Sequence, residues 1–135
     1  MIDGDLTSYL QTASGLIALL PATKIFLGQA PNTVSMPWLV IEIFTGPRNK
    51  IAATKTEVTN TVRISVGVGP SDKVKGRNIA EQVLRYMENF RGLMGATSDM
   101  HVTCGSVGFT TGTGGTFNYS FNALIKYVEV YREPA

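Results

Sequence analysis

Few residues of this chain belong to types that carry covalent or acid–base chemistry, and their spacing suits none of it. The 135 residues include one Cys and one His, Cys104 and His101. Three positions apart in a strand, the two project from opposite faces, so they do not form a thiol–imidazole nucleophile pair. They also cannot supply the four nitrogen and sulfur ligands of a structural zinc site. The carboxylates offer no acid–base pair either. Asp3 and Asp5 are helix-start charges, and Glu81 and Glu88 lie on a helix rich in opposite charge. Glu42 is the one acid within a strongly apolar strand, and it reads as a paired or edge-facing carboxylate.

One glycine-containing turn stands where phosphate-binding loops occur, between a strand and a helix: Gly67-Val68-Gly69-Pro70-Ser71-Asp72. A dinucleotide fingerprint needs Gly where Asp72 stands, and a P-loop needs a Gly-Lys-Ser/Thr run that is absent. Pro70 removes one of the N–H groups such a loop would use. The segment reads as a strand exit and a helix cap. These residues point to no enzyme, no metal and no cofactor.

The cations are more informative. Residues 1–45 carry Lys24 against Asp3, Asp5 and Glu42, net −2. Residues 46–77 carry Arg48, Lys50, Lys55, Arg63, Lys73, Lys75 and Arg77 against Glu57 and Asp72, net +5; the remainder is net −1. A basic centre therefore lies between two mildly acidic flanks. Such a patch can approach phosphate groups, although no aromatic stacking residues interleave with it as they do in dedicated nucleic-acid readers.

The elements that position these residues follow from composition and periodicity. At 14.6 kDa the chain is expected to be a single domain, residues 1–135, able to bury about two-thirds of its surface. Only 16% of residues are charged, and polarity comes from 14 Gly, 15 Thr and 8 Ser. Low charge of this kind suits a surface that a partner covers. One Cys excludes an internal disulfide. No apolar run approaches the ~20 residues that span a bilayer, and the Met-Ile-Asp-Gly-Asp start lacks the positive charge of a signal peptide, so a soluble protein is expected.

Leu6, Tyr9, Leu10, Ala13, Leu16, Ile17 and Leu20 recur at helical spacing, predicting one helix from Asp5 to Leu20, capped by Asp5 or Thr7 and ended by Pro21. Lys24 to Gly28 is a short strand, and Pro37 to Phe44 a strand covered on both sides along much of its length. Gly46 to Thr56 has no period, begins with Gly-Pro, and reads as a long connection. From Glu57 the alternation is clean, with Val58, Asn60, Val62, Ile64, Val66 and Val68 on one side. A second helix runs from Ser71 or Asp72 to about Phe90, its stripe Val74, Ile79, Val83, Leu84, Met87 and Phe90. Met100 to Thr110 is a weak, Gly-interrupted strand. Phe117 to Arg132 is a long one, with a bulge or change of buried face expected near Asn122. Thr111, Gly112, Thr113, Gly114 and Gly115 form the hairpin loop between them. The expected class is α+β: two helices packed on a mainly antiparallel sheet of about five strands, in the order α-β-β-β-α-β-β.

In this order of elements, with Lys24-Ile25-Phe26-Leu27-Gly28, Pro37-Trp38-Leu39-Val40-Ile41 and Ile79-Ala80-Glu81-Gln82-Val83-Leu84, the chain resembles the tail-terminator (tail-completion) proteins of long-tailed phages. The resemblance covers nearly the whole chain but is one of element order and texture. It implies a virion structural protein that assembles in the host cytoplasm into a homo-oligomeric ring, a hexamer, at the tail–neck junction. Such a ring ends tail-tube polymerisation and contacts the tail tube protein and the neck or connector proteins. It also implies that the 46–56 segment reaches toward a neighbour or the lumen, where Arg48, Lys50 and Lys55 would line a channel through which DNA passes; Arg48, Asn49, Lys50, Lys55 and Arg63 are the interface or lumen candidates. The 111–116 hairpin departs from the family, so no contact is assigned to it. Two other readings stand beside this one: another neck or head–tail connector subunit, and a small nucleic-acid-binding α+β module that uses the basic 46–77 segment. No membrane partner is expected.

Overall fold

The computed structural model describes residues 2–30, 35–88, 90–94, 97–111 and 115–130. Helix α1 (Ile2–Gln11), a single turn α2 (Ser14–Ile17) and a 3-10 turn (Ala22–Lys24) lead into β1 (Ile25–Leu27). Then come β2 (Trp38–Ala52), β3 (Lys55–Val68), α3 (Lys73–Met87), β4 (Arg91–Met94), β5 (Thr97–Cys104), β6 (Gly108–Thr111) and β7 (Phe117–Val130). The strands form one seven-stranded sheet in the order β1-β2-β3-β7-β5-β4, with β6 also on β7. All pairs are antiparallel except β1 with β2.

The α+β class is as expected, but the counts are not. Seven strands replace about five, and the first helical segment is broken. Ala13 is extended (φ −74°, ψ 107°), and Thr12 Oγ1 donates back to the carbonyls of Ser8 and Tyr9 at 2.9 and 3.1 Å. Past the break, Gly15 N–H donates to the Tyr86 hydroxyl at 2.8 Å, so a residue of α3 holds the next turn. The helix also starts earlier than expected, at Ile2 rather than beside Asp5 or Thr7.

The helices cover one face of the sheet. Leu6, Leu10, Leu16 and Leu20 meet Leu39, Ile41, Val62, Ile64 and Ile125 in a core with essentially no exposure. The predicted β3 alternation is observed from Val58 to Ile64; beyond it both faces are covered, with Ser65, expected on the polar side, and Gly67 also buried. Helix α3 turns Gly76, Ile79, Ala80, Val83 and Met87 inward, whereas Val74, expected in the stripe, is 72% exposed. Gly76 takes its place because α3 crosses so close to the sheet. A Cβ there would lie 2.7 Å from Val68 Cγ2 and 3.1 Å from Tyr119 Cδ2.

β7 shows no bulge and no change of buried face near Asn122. It pairs with β3 in unbroken register from Phe117↔Val68 to Val130↔Lys55. Leu124 points to the sheet face that carries no helix and is 47% exposed there, as is Phe44 on β2. The weak 100–110 strand is two strands, β5 and β6, which follow each other along one edge of β7. Gly105 keeps the edge continuous between them by donating its N–H to Asn122 O at 2.8 Å.

Candidate interface: the β2–β3 arm and the sheet edges

The expected long connection at 46–56 is instead a β-hairpin. β2 and β3 stay paired beyond the helices as far as Ala52↔Lys55, with Ala53-Thr54 as the turn, and the end of β7 adds a third strand. The aperiodic sequence has a physical cause. Thr45 pairs with Asn60 and the next aligned pair is Arg48↔Val58, so Gly46 and Pro47 together oppose Thr59 in a bulge. Proline is tolerated there because a bulge releases one ladder donor. Glycine is required, since a Cβ at Gly46 would fall 2.1 Å from the Thr59 carbonyl oxygen.

Beneath the bulge lies Asn60, buried to 3% exposure. Its carboxamide oxygen accepts the Gly46 N–H at 3.4 Å, and its Nδ2 donates to the Tyr127 hydroxyl at 3.5 Å. Burial raises the Tyr127 phenol above its ordinary pKa, and the Glu129 carboxylate pushes the same way. A second irregularity, between Lys50↔Thr56 and Ala52↔Lys55, leaves Ile51 extruded at the tip, 55% exposed.

The bulge decides where the cations go. Cross-strand partners share a face, and a one-residue offset exchanges the faces of every residue beyond it. Arg48 is aligned with Val58 and Tyr127, so it and Lys50 lie on the helix side. Asn49, aligned with Glu57, lies on the open side with Lys55 and Arg63. The five residues the sequence singled out are therefore split between two faces. Arg48 reaches across β3 to donate to the Glu129 carboxylate, and that bond and charge raise its pKa further. Both side chains are about half exposed, so the ion pair adds little stability, yet it offsets one of the arm's positive charges. Arg63 stands opposite Glu42 and lies 5.9 Å from the centre of the Phe44 ring.

Two cations of α3 are also engaged. Lys73 Nζ sits 4.9 and 5.5 Å from the Phe109 and Phe117 ring centres, and Arg77 bonds Glu81 at 3.2 Å. The basic 46–77 segment thus forms no single stripe. Lys73, Arg77 and Glu81 rim a cavity of about 490 Å³ between α3 and the β5–β6 interruption, floored by Leu84, Val107, Phe109 and Tyr119.

Of the hairpin loop residues, Thr111 ends β6 and Gly115 adopts φ +79°; Gly112, Thr113 and Gly114 lie outside the described residues. β6 and β7 do form a hairpin, as Thr111↔Phe117 shows. His101 and Cys104 fall on opposite faces, Cys104 packing against the core. No group of three or more His, Cys, Asp or Glu able to hold a metal occurs among the described residues. Two residues that the sequence reading passed over, Leu27 and Phe109, stand 44% and 46% exposed on β1 and β6. Their short strands gave no periodic signal that could have found them.

No protein-family model matches the sequence, and no curated protein does. The fold, however, is shared with solved structures. A chain from the virion of a native gene transfer agent particle superposes with a TM-score of 0.70 at 12% identity, over 95% of this chain and 94% of that one. A second solved structure superposes at 0.53 and 14% identity over the whole of both chains.

Proposed function

We propose that this chain is a virion structural protein, the tail terminator of a long-tailed phage or phage-like particle. In this reading it forms a ring at the head-proximal end of the tail tube, ends tube polymerisation and joins the tail to the neck. The observation that carries the virion role is the end-to-end likeness to a chain of the gene transfer agent virion, which leaves almost no segment of either chain unmatched. The terminator role rests on the order of elements set out above, on the projecting arm, and on a helix-free sheet face bearing Phe44 and Leu124. A head-to-tail ring buries one surface patch against a different patch on the next copy. A low-charge chain with apolar groups left at its sheet edges suits that role.

Mass photometry of the purified chain, alone and with polymerising tail tubes, tests the reading. The expected result is a closed oligomer that binds tube ends and halts their growth. A strict monomer at high concentration that leaves tube length unchanged overturns it. If the chain instead joins particles only after tails are complete, the neck or connector reading replaces it.

A further inference from the structure

The two edges of the sheet are stepped, and in opposite senses. On one edge, β1 lies outside β2 only along Leu39–Ile41; from Glu42 to the arm tip no described strand lies outside β2. On the other edge, β6 lies outside β7 along Phe117–Ser120, while farther along β5 takes that place and β4 lies one strand beyond it. Leu39–Ile41 align through Val66–Ile64 with Tyr119–Phe121. β1 and β6 therefore sit at the same level on opposite edges. Where one edge protrudes by a strand, the other is recessed by a strand.

Strand directions also agree. β1 runs with β2, and the β2–β3, β3–β7 and β7–β6 pairs are each antiparallel, so β1 and β6 run opposite ways. A second copy shifted sideways along the sheet, helices kept on the same side, would bring β1 of one beside β6 of the next as an antiparallel pair. Of the outward groups of β1, the Ile25 carbonyl already accepts from Gln11 Nε2 at 3.5 Å, which leaves those of Leu27. Gly28 N–H donates inward to Ile41 O at 2.7 Å, so by alternation the Leu27 N–H and C=O point away from β2. Leu27 aligns with buried Ile41 and Phe109 with buried Tyr119, which puts both exposed side chains on the helix-covered face.

We infer that neighbouring copies of this chain join by edge-strand pairing, β1 of one copy against β6 of the next, with Leu27 covering Phe109 and the open stretch of β2 facing β4. The inference rests on the ring reading and names its interface. The same pairing explains how the short edges are protected, since exposed strand edges otherwise invite indiscriminate association. The contact is heterologous, so it propagates until rotation closes it.

Disulfide trapping tests it. Directly opposed residues of an antiparallel pair lie about 4.5–5.5 Å apart at Cα, within disulfide reach. In a Cys104→Ala background, oxidised chain carrying both Leu27→Cys and Phe109→Cys is expected to run as a ladder beyond dimer without reductant. A mixture of the two single variants should stop at dimer. Leu27→Pro removes an outward N–H that the monomer does not use, so it should weaken association about tenfold or more while leaving the monomer's melting midpoint nearly unchanged. If the parent chain assembles but the double variant gives no ladder and Leu27→Pro associates within twofold of it, edge pairing is overturned and the ring reading survives. If the parent chain stays monomeric, alone and on tail tubes, both fall.

Discussion

Asn60 and Gly46 are tied across the base of the arm. The buried carboxamide oxygen of one accepts the N–H of the other at 3.4 Å, at the point where β2 carries one residue more than β3. The bond holds a bulge that no other described side chain supports by hydrogen bonding to Gly46, and it makes these two residues the most sensitive positions of the arm.

Asn60→Ala leaves the Gly46 N–H and the Tyr127 hydroxyl without their carboxamide partner, and should cost about 1–3 kcal/mol in chemical denaturation. Gly46→Ala should cost about 2 kcal/mol or more, because the added Cβ meets backbone that cannot step aside. Both should speed amide exchange in the arm before the β3–β7 core is affected. An arm whose exchange stays unchanged in Gly46→Ala would mean that the bulge relocates freely.

Gly76→Ala sets two effects against each other. Replacing Gly by Ala in a helix is worth up to about 1 kcal/mol in its favour. The new methyl, 2.7 Å from the β-branched side chain of buried Val68, forces α3 off the sheet, and overpacking of this kind costs about 1–3 kcal/mol. Net destabilisation is expected, measured as a lower denaturation midpoint. A stabilised variant would show that α3 can shift without loss.

Burial pushes the Cys104 thiol up to about 11, and the Glu88 carboxylate adds to the effect. A thiol raised above its unfolded pKa of about 8.5 contributes stability that is whole below that value and is lost as pH rises toward 11. Stability should therefore fall between about pH 8.5 and 11, and Cys104→Ala should flatten that part of the profile. Tyr9 and Tyr127, both raised first by burial, extend the decline at the alkaline end. Alkylation of Cys104 near pH 8 should be slower than that of an exposed thiol by on the order of a hundredfold.

Replacing Arg48, Lys50 and Lys55 together by Ala separates ring subunit from nucleic-acid module. With the cations split between two faces and Arg48 on Glu129, ring assembly should persist in the triple variant. A parent chain that binds duplex DNA with steep salt dependence, lost in this variant, would favour the module reading instead.

The legible parts of the fold were those fixed by local pattern. Val58 to Ile64 alternate because one sheet face is buried along the whole strand, and Ile79 to Met87 keep helical spacing against that face. The arm was illegible for the opposite reason. Gly46-Pro47 breaks the period at the bulge, and beyond it every residue from Pro47 to Lys55 is exposed, so no apolar partner imprints an alternation. The break after Gln11 depends on Tyr86, seventy-one residues from the Gly15 it holds, which no window of sequence can register. The cations were readable as a cluster in sequence but not as a surface, because their faces depend on a one-residue offset.

That offset has an evolutionary corollary. If both residues were kept but the bulge gave way to a plain ladder, Arg48 would align with Glu57 instead of Val58, and the two sides of the arm beyond it would be exchanged. Arg48 and Lys50 would turn to the helix-free side with the same composition and the same net charge. A one-residue slip in pairing is thus enough to re-address this subunit's charge, and chains sharing the fold can change what the arm meets without altering which amino acids it carries.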